Sequence, residues 1–294
     1  MNNFSIKDVE ALTGIKSHTL RIWEQRYGIP LPNRTATNIR YYTDDDLKLL
    51  LNVAMLNRKG YKISKITKMS KEEVDTLVLD LTLQSDDESM HLESLIKAMF
   101  SLDEDIFIQV FQSSIDQIGF DESFKKLVFP LMARIGIMWQ TGSINPAYEH
   151  FVTQLIRLKL YSALSELPKI ETQKAKKFIL FLPANEPHDL TLLFANYLIR
   201  LAGHHTNYLG PNLPLNELHS VMKLYKADYI LTVLTSSISS QTPLQIAIKL
   251  HADFPHTNIL IAGSQISQSH IQFPPLVTLL YDFDAFTNLL KSTS

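Results

Sequence analysis

The feature that most restricts the fold is a change of hydrophobic period at Pro168. Beyond it, apolar runs of strand length occur at Lys177–Leu182, His205–Leu209, Tyr229–Leu234, Asn258–Ala262 and Val277–Leu280. They alternate with amphipathic helical patterns at His188–Ala202, Pro214–Lys226, Pro243–Asp253 and Phe283–Lys291. Near-continuous apolar runs suit strands buried on both faces, and helices of this length suit parallel crossovers. The pattern predicts an open, mainly parallel, five-stranded α/β sheet.

Ahead of Pro168, the stretch from His91 to Leu167 is helical throughout. Leu92–Phe100, Asp103–Ile118 and Asp121–Gln140 are the first three segments. A fourth starts with Asn145 as N-cap and Pro146 at the first helical position, a favoured start, and runs to Leu167. Short connections between four helices argue for an up-down bundle. Residues 84–90, QSDDESM, are polar and read as a linker.

The N-terminal stretch is different again. Thr13-Gly14-Ile15 is a turn between two short helical patterns, with Ile6, Val9 and Leu12 as one apolar stripe and Leu20, Ile22 and Trp23 as the other. Ser17 serves as N-cap of the second helix, whose exposed positions offer His18, Arg21, Gln25 and Arg26. After Pro30, Pro32 and Asn33, the segment RTATNIRYY reads as a polar hairpin carrying Arg34, Asn38, Arg40 and Tyr41. Lys16, Arg21, Arg26, Arg34 and Arg40 face a single anion, Glu24, between Lys16 and Tyr42. Such guanidinium groups suit phosphate oxygens. The same spacing also fits an ordinary helical hairpin with a solvated basic surface. Asp44-Asp45-Asp46 then opens a helix with buried positions Leu47, Leu50, Leu51, Ala54 and Met55, and Ile63, Ile66 and Met69 mark a short one after Gly60.

Charge is divided unevenly along the chain. Residues 1–80 hold thirteen Lys/Arg against ten Asp/Glu, within a total of 28 against 30. DNA affinity would therefore have to come from a local patch. Arg58–Lys71 adds six cations and no acid, either a solvated helix face or a further backbone contact. With no cysteine, thiolate metal sites and disulfides are excluded. A transition metal would need His or carboxylate ligands, or would arrive inside a cofactor. No run of eighteen apolar residues and no N-terminal export signal is present, so the expectation is a cytoplasmic protein without membrane contact.

The run HTLRIWEQRYGIPLPNRTATNIRYYTDDDL closely resembles the winged DNA-binding domain of MerR-family transcription regulators, and its HTLRIWEQRYG core resembles the branch with a cobalamin-binding sensor. The resemblance implies a multidomain α and α/β chain. A winged helix-turn-helix would occupy residues 1–75, a four-helix bundle acting as cobalamin cap 88–167, and a five-stranded parallel Rossmann-like (flavodoxin-like) cobalamin-binding domain 175–294. It implies double-stranded operator DNA as partner, with Lys16, His18, Arg21, Arg26, Arg34, Asn38, Arg40 and Tyr41 as contacts.

The loop after the first α/β strand, residues 183–191, has no Gly-x-Gly-x-x-Gly, which argues against a dinucleotide site. Its His188, beside Glu186 and Asp189, can be a metal ligand oriented by an acid, or a surface histidine. The resemblance favours the ligand. Glu186-Pro187-His188-Asp189-Leu190-Thr191, Thr232-Val233-Leu234 and Ala262-Gly263 resemble the cobalamin signature. There His188 would bind cobalt with Glu186 behind it, and Thr191, Thr232, Leu234, Ala262 and Gly263 would line the nucleotide-tail slot. Trp139, followed after nine residues by Glu149-His150, resembles the motif capping the upper cobalamin face in photosensory relatives.

Four departures stand out. Thr191 and Ala262 replace glycines, Thr232 replaces a serine, and Gln140 stands where light-responsive relatives carry histidine. The leading expectation is a repressor that binds adenosylcobalamin and couples it to self-association, as dimer or tetramer, and to DNA binding. The alternative is a regulator with a degenerate sensor acting through protein contacts. An enzyme ranks last, because cobalamin enzymes of this build need a separate catalytic barrel.

Overall fold

The computed structural model describes residues 4–35, 37–85, 87–140, 144–170, 172, 174–235, 242–266 and 272–293. Two units emerge, Met1–Ile156 and Arg157–Ser294.

In the first unit, α1 (Ile6–Thr13) and α2 (Ser17–Tyr27) are joined through Gly14, whose φ of 73° closes the turn. Ser17 is not the N-cap of α2. Lys16 holds that place without a side-chain cap, and Ser17 is the first helical residue. The capping acceptor comes from α1 instead: Glu10 takes the Ser17 N–H at 3.0 Å and its hydroxyl at 2.6 Å. The Ser17 hydroxyl, then Lys16, hold the Glu10 pKa at about 2. A carboxylate at a helix N-terminus also meets the positive end of the dipole. Leu20 and Trp23 are buried, but Ile22 is exposed, because two residues along a helix turn it to the far side from Leu20.

β1 (Asn33–Arg34) and β2 (Arg40–Tyr41) form the expected antiparallel hairpin, with Arg34 opposite Arg40. Phe4 pairs with Tyr42 beside it. α3 (Asp44–Arg58) starts with a Thr43–Asp46 capping box and is buried on every side from Val53 to Leu56. After α4 (Ile63–Ile66) comes α5 (Lys71–Leu83), a helix absent from the sequence reading. Its signal was available, since Ser70 and Glu73 form a capping box.

The expected linker at 84–90 is shorter, since α6 (Glu88–Ser101) already begins at Glu88, capped by Asp87. Its polar residues are caps: the Asp87 carboxylate accepts from the Ser89 N–H and hydroxyl. One helical turn later, the Thr82 and Ser94 hydroxyls pair in the core at 2.9 Å. α7 (Glu104–Ile118) follows its Asp103 cap. The expected single helix Asp121–Gln140 is broken into α8 (Phe120–Ser123), a π-helical turn at Phe124–Val128, and α9 (Phe129–Gln140). Pro130, lacking an N–H, is what a continuous α-helical ladder could not accommodate there. α10 (Pro146–Glu166) begins as expected, the Asn145 side chain accepting the Ala147 N–H at 3.0 Å.

Aromatic contacts run through this unit. Phe4 meets Phe100 of α6 edge-on at 5.6 Å, and Phe100 meets Tyr148 of α10 at 5.4 Å. Arg58 of α3 pairs with Glu93 of α6, a carboxylate only 6% exposed. Burial pushes the Glu93 pKa up, against the opposing pull of Arg58. A raised carboxyl favours the native state while protonated, and that contribution is lost as pH rises through its folded pKa. Arg58→Ala should therefore cost roughly 1–3 kcal/mol where Glu93 is ionised. Urea midpoints at pH 7 and pH 5 should show the smaller loss at pH 5.

The second unit holds β3 (Lys177–Pro183), α11 (Leu190–Leu201), β4 (His205–Leu213), α12 (Leu218–Tyr225), β5 (Tyr229–Val233), α13 (Pro243–Asp253), β6 (Asn258–Ala262), β7 (Val277–Leu280) and α14 (Phe283–Ser292). All strand pairs are parallel, in the order β4-β3-β5-β6-β7. One sheet face, including Ile179, Ile230, Leu234 and Ile261, packs with Leu218 of α12 and Ile246 of α13. On the other, α11 and α14 meet through Phe194 and Phe283, rings 5.1 Å apart. Helices on both faces and this strand order make a doubly wound sheet, whose ligands bind at the carboxyl edge.

Candidate functional site

Two groups of residues bear on function, one in each unit. In the first, His18, Arg21, Gln25 and Arg26 stand exposed along α2, as the helical spacing predicts. Lys16 is exposed as well, held to Glu10 at 3.1 Å. In the wing, Arg34 and Arg40 both pair with Glu24 of α2. Asn38 accepts from Arg34 Nη1 at 3.0 Å. Tyr41 is half-buried at the end of the hairpin. All six cations at Arg58–Lys71 are exposed; Arg58 and Lys59 pair with Glu93 and Asp87, and Lys62, Lys65, Lys68 and Lys71 extend the basic stretch.

The same unit carries the Trp-x9-Glu-His residues. Trp139, near the end of α9, is 57% exposed, unusual for so large an apolar ring. Glu149 and His150 lie early in α10, 3.8 Å apart at their closest, and Glu149 accepts the Thr153 hydroxyl at 2.8 Å. The side chain of Gln140, and residues 141–143, lie outside the described residues.

In the second unit, the loop between β3 and α11 carries His188. The expected helix from His188 begins only at Leu190, since the Glu186 carboxylate takes the His188 N–H at 3.2 Å. Glu186 also receives His188 Nδ1–H at 2.8 Å and the Thr235 N–H, beyond β5, at 2.7 Å. Glu186 is 1% exposed while the His188 side chain is 59% exposed. A buried acid thus orients an outward-facing imidazole, so that a metal would be taken by Nε2. Because Thr235 follows β5, this carboxylate bridges the switch point between β3 and β5.

Asp189 does not share that task. Its carboxylate receives Arg157 of α10 and the Tyr208 hydroxyl, the latter at 3.3 Å. Burial first, then the Asp189 charge, push the Tyr208 phenol far above its ordinary value. Sequence spacing gave no sign of Arg157 or Tyr208, which lie 32 and 19 residues away.

Beside the loop lies a mostly apolar, open cavity of about 250 Å³, lined by Thr191 and Ala195 of α11, Leu231 and Val233 of β5, the Ala262-Gly263 turn, and, across from them, the end of β7 and the start of α14. Thr191, Ala262 and Gly263 all line this cavity. Thr232 and Leu234 do not line this cavity. Strand alternation turns Leu231 and Val233 toward it and sends Leu234 into the opposite core. Thr232 is fully buried, its hydroxyl without a hydrogen-bond partner among the described residues. Gly263 has φ of 112°, and a Cβ there would sit 2.3 Å from the Leu234 carbonyl oxygen. A flat heteroaromatic base fits such an apolar slot, and the oriented imidazole fits a cobalt centre. The donor set is compatible with cobalamin.

Comparison with known proteins agrees. Residues 4–73 match the MerR HTH family of regulatory proteins, and residues 91–162 match a B12 binding domain. The HTH-type transcriptional repressor CarH of Myxococcus xanthus is 25% identical over 91% of this chain and 90% of its own length. CarA of the same organism, also an HTH-type transcriptional repressor, is 24% identical over 91% and 88%. The Methanosarcina barkeri monomethylamine corrinoid protein superposes with a TM-score of 0.56 at 12% identity, covering 70% of this chain and all of that one. That likeness shows a shared fold, helical segments with a five-stranded parallel Rossmann-like sheet. No helix among the described residues is long and apolar enough to cross a membrane. Residues 4–73 thus carry a MerR-type helix-turn-helix segment and residues 91–162 a B12-binding-domain segment, in a chain homologous to the CarH and CarA repressors.

Proposed function

We propose that this chain is a transcriptional repressor that binds operator DNA through residues 1–75 and cobalamin through 88–167 and 175–294. The cofactor, adenosylcobalamin in particular, governs its assembly as dimer or tetramer and its hold on DNA. The observation that carries the reading is the buried Glu186 holding an exposed His188 beside an apolar cavity at the carboxyl edge of the sheet. His188 holds cobalt. Thr191, Ala262 and Gly263, joined by Leu231 and Val233, hold the nucleotide tail, and Trp139, Glu149 and His150 select the upper axial group. Bound cobalamin supplies a cobalt centre with an exchangeable alkyl group. The chain performs no catalysis in this reading.

The test is a visible spectrum of the full chain after dark incubation with excess adenosylcobalamin and desalting. Retained corrinoid is expected. Trp139→Ala should retain it while losing preference between adenosyl- and methylcobalamin, because a large planar ring is what makes an upper pocket selective. Illumination of the retained adenosyl form is the further input this reading admits, and Gln140, a poor cobalt ligand, speaks against a bis-histidine photoproduct.

One observation favours a second reading. Thr191 and Ala262 both line the cavity where the cobalamin signature carries glycine. A degenerate sensor working through protein contacts would leave the desalted wild type colourless.

On the DNA side, Arg21 is exposed on α2 and carries no ion pair among the described residues. Arg21→Ala should weaken binding of double-stranded DNA and lower the salt slope by about one, as loss of a phosphate contact does. Titrations at two salt concentrations would show it.

A further inference from the structure

The wing of the first unit is built around one acid. Glu24, on the face of α2 nearest the hairpin, has a side chain only 17% exposed. Arg40 of β2 grips it with both ends of its guanidinium, Nε to Oε2 at 3.0 Å and Nη2 to Oε1 at 3.4 Å. Arg34 of β1 reaches the same Oε1 at 3.4 Å and donates its other nitrogen to Asn38 in the hairpin turn. A single carboxylate thus ties both wing strands to the helix that presents His18, Arg21 and Arg26. The forked contact fixes orientation as well as distance.

A two-residue-per-strand hairpin cannot hold its own geometry in water, since even longer isolated hairpins are marginal. Its placement must come from what it is fastened to. Phe4 and Tyr42 fasten its base, and Glu24 fastens its two strands. We propose that Glu24 is a positioning residue for DNA recognition. It locks wing and recognition helix into one rigid reading surface, with Arg34 and Arg40 spent largely on that lock. The proposal rests on the DNA-binding reading above.

Its consequence runs against simple charge. An acid inside a phosphate-facing surface repels DNA, so its removal as a charge alone should tighten every duplex and steepen the salt slope by about one. As a positioning residue, its removal should weaken recognition of the preferred sequence instead. The experiment uses the full chain and two duplexes: one recovered by the wild type from a random-sequence pool, and one scrambled.

Glu24→Ala is expected to weaken the recovered duplex roughly tenfold while the scrambled duplex binds as well or better, so that the ratio between them collapses. Glu24→Ala/Arg40→Ala should then be no worse than either single change, because the two act as one unit. Should Glu24→Ala unfold, Glu24→Gln keeps the shape and one acceptor and is expected to show the same loss of ratio. Equal tightening of both duplexes, or additive losses in the double variant, would overturn the proposal. A wild type that recovers no duplex would instead defeat the DNA-binding reading itself.

Discussion

Replacing His188 by alanine should leave a folded protein that no longer retains cobalamin. The ring is mostly exposed and contributes little to the core, while the Glu186 carboxylate keeps the backbone N–H groups of residue 188 and Thr235. Thermal unfolding should therefore be unchanged within error. Cofactor retention after desalting should fall by more than the roughly 10–100-fold that losing an outer partner of a metal ligand costs. Glu186→Gln marks that smaller step, since a neutral amide still reaches Nδ1 but no longer favours the proton there. The order expected for corrinoid bound per protein is wild type, then Glu186→Gln, then His188→Ala. Wild-type retention by the alanine variant would mean that cobalt is not held from this loop.

Gly263→Ala should cost on the order of 3 kcal/mol or more, without any ligand present. Two penalties act together. A φ of 112° lies where a side chain is strained, and the new Cβ would overlap the backbone of Leu234 at 2.3 Å. Neither side can easily move away. Leu234 donates to the Ala262 carbonyl at 2.8 Å and accepts from Gln265 at 3.1 Å, stitching the two turns together. Apo protein should show a clearly lowered unfolding midpoint. A variant as stable as the wild type would show that the two turns do not approach so closely. The glycine that resembles part of a ligand signature is thus demanded by the chain's own backbone first. Ala262, one residue earlier, already carries a Cβ on the cavity wall.

The Glu24 lock also changes what arginine substitutions in the wing report. Loss of Arg40 would release the wing as well as remove a cation, so its effect on DNA binding is not a count of phosphate contacts. Arg21, outside the lock, is the cleaner probe.

Local spacing in the sequence determined a good deal. Strand-length apolar runs marked all five sheet strands, and Asn145-Pro146 marked the start of α10, because these signals act within one turn or one pleat. The loop of His188 and the exposed face of Arg21 and Arg26 followed from the same short-range periods. Nearby caps were read less well: Asp87 and Ser70 start helices where polar composition suggested a linker or nothing at all.

What tertiary structure alone decided were pairings across distance and the side a residue faces. Glu24 stood in the sequence as the one anion among five cations, but its reach to Arg40, sixteen residues on, needed the hairpin to fold back. Spacing alone set Glu186 and Asp189 alike beside His188 and the family resemblance put Glu186 behind it, but the partners Thr235, Arg157 and Tyr208 that give the two acids separate tasks came only with the fold. Thr232 in β5 and Leu234 just beyond it face away from this cavity. With a period of two, a one-residue shift sends a side chain through the sheet. Sequence spacing locates the strand, and packing on both faces decides which of its residues meet the cavity.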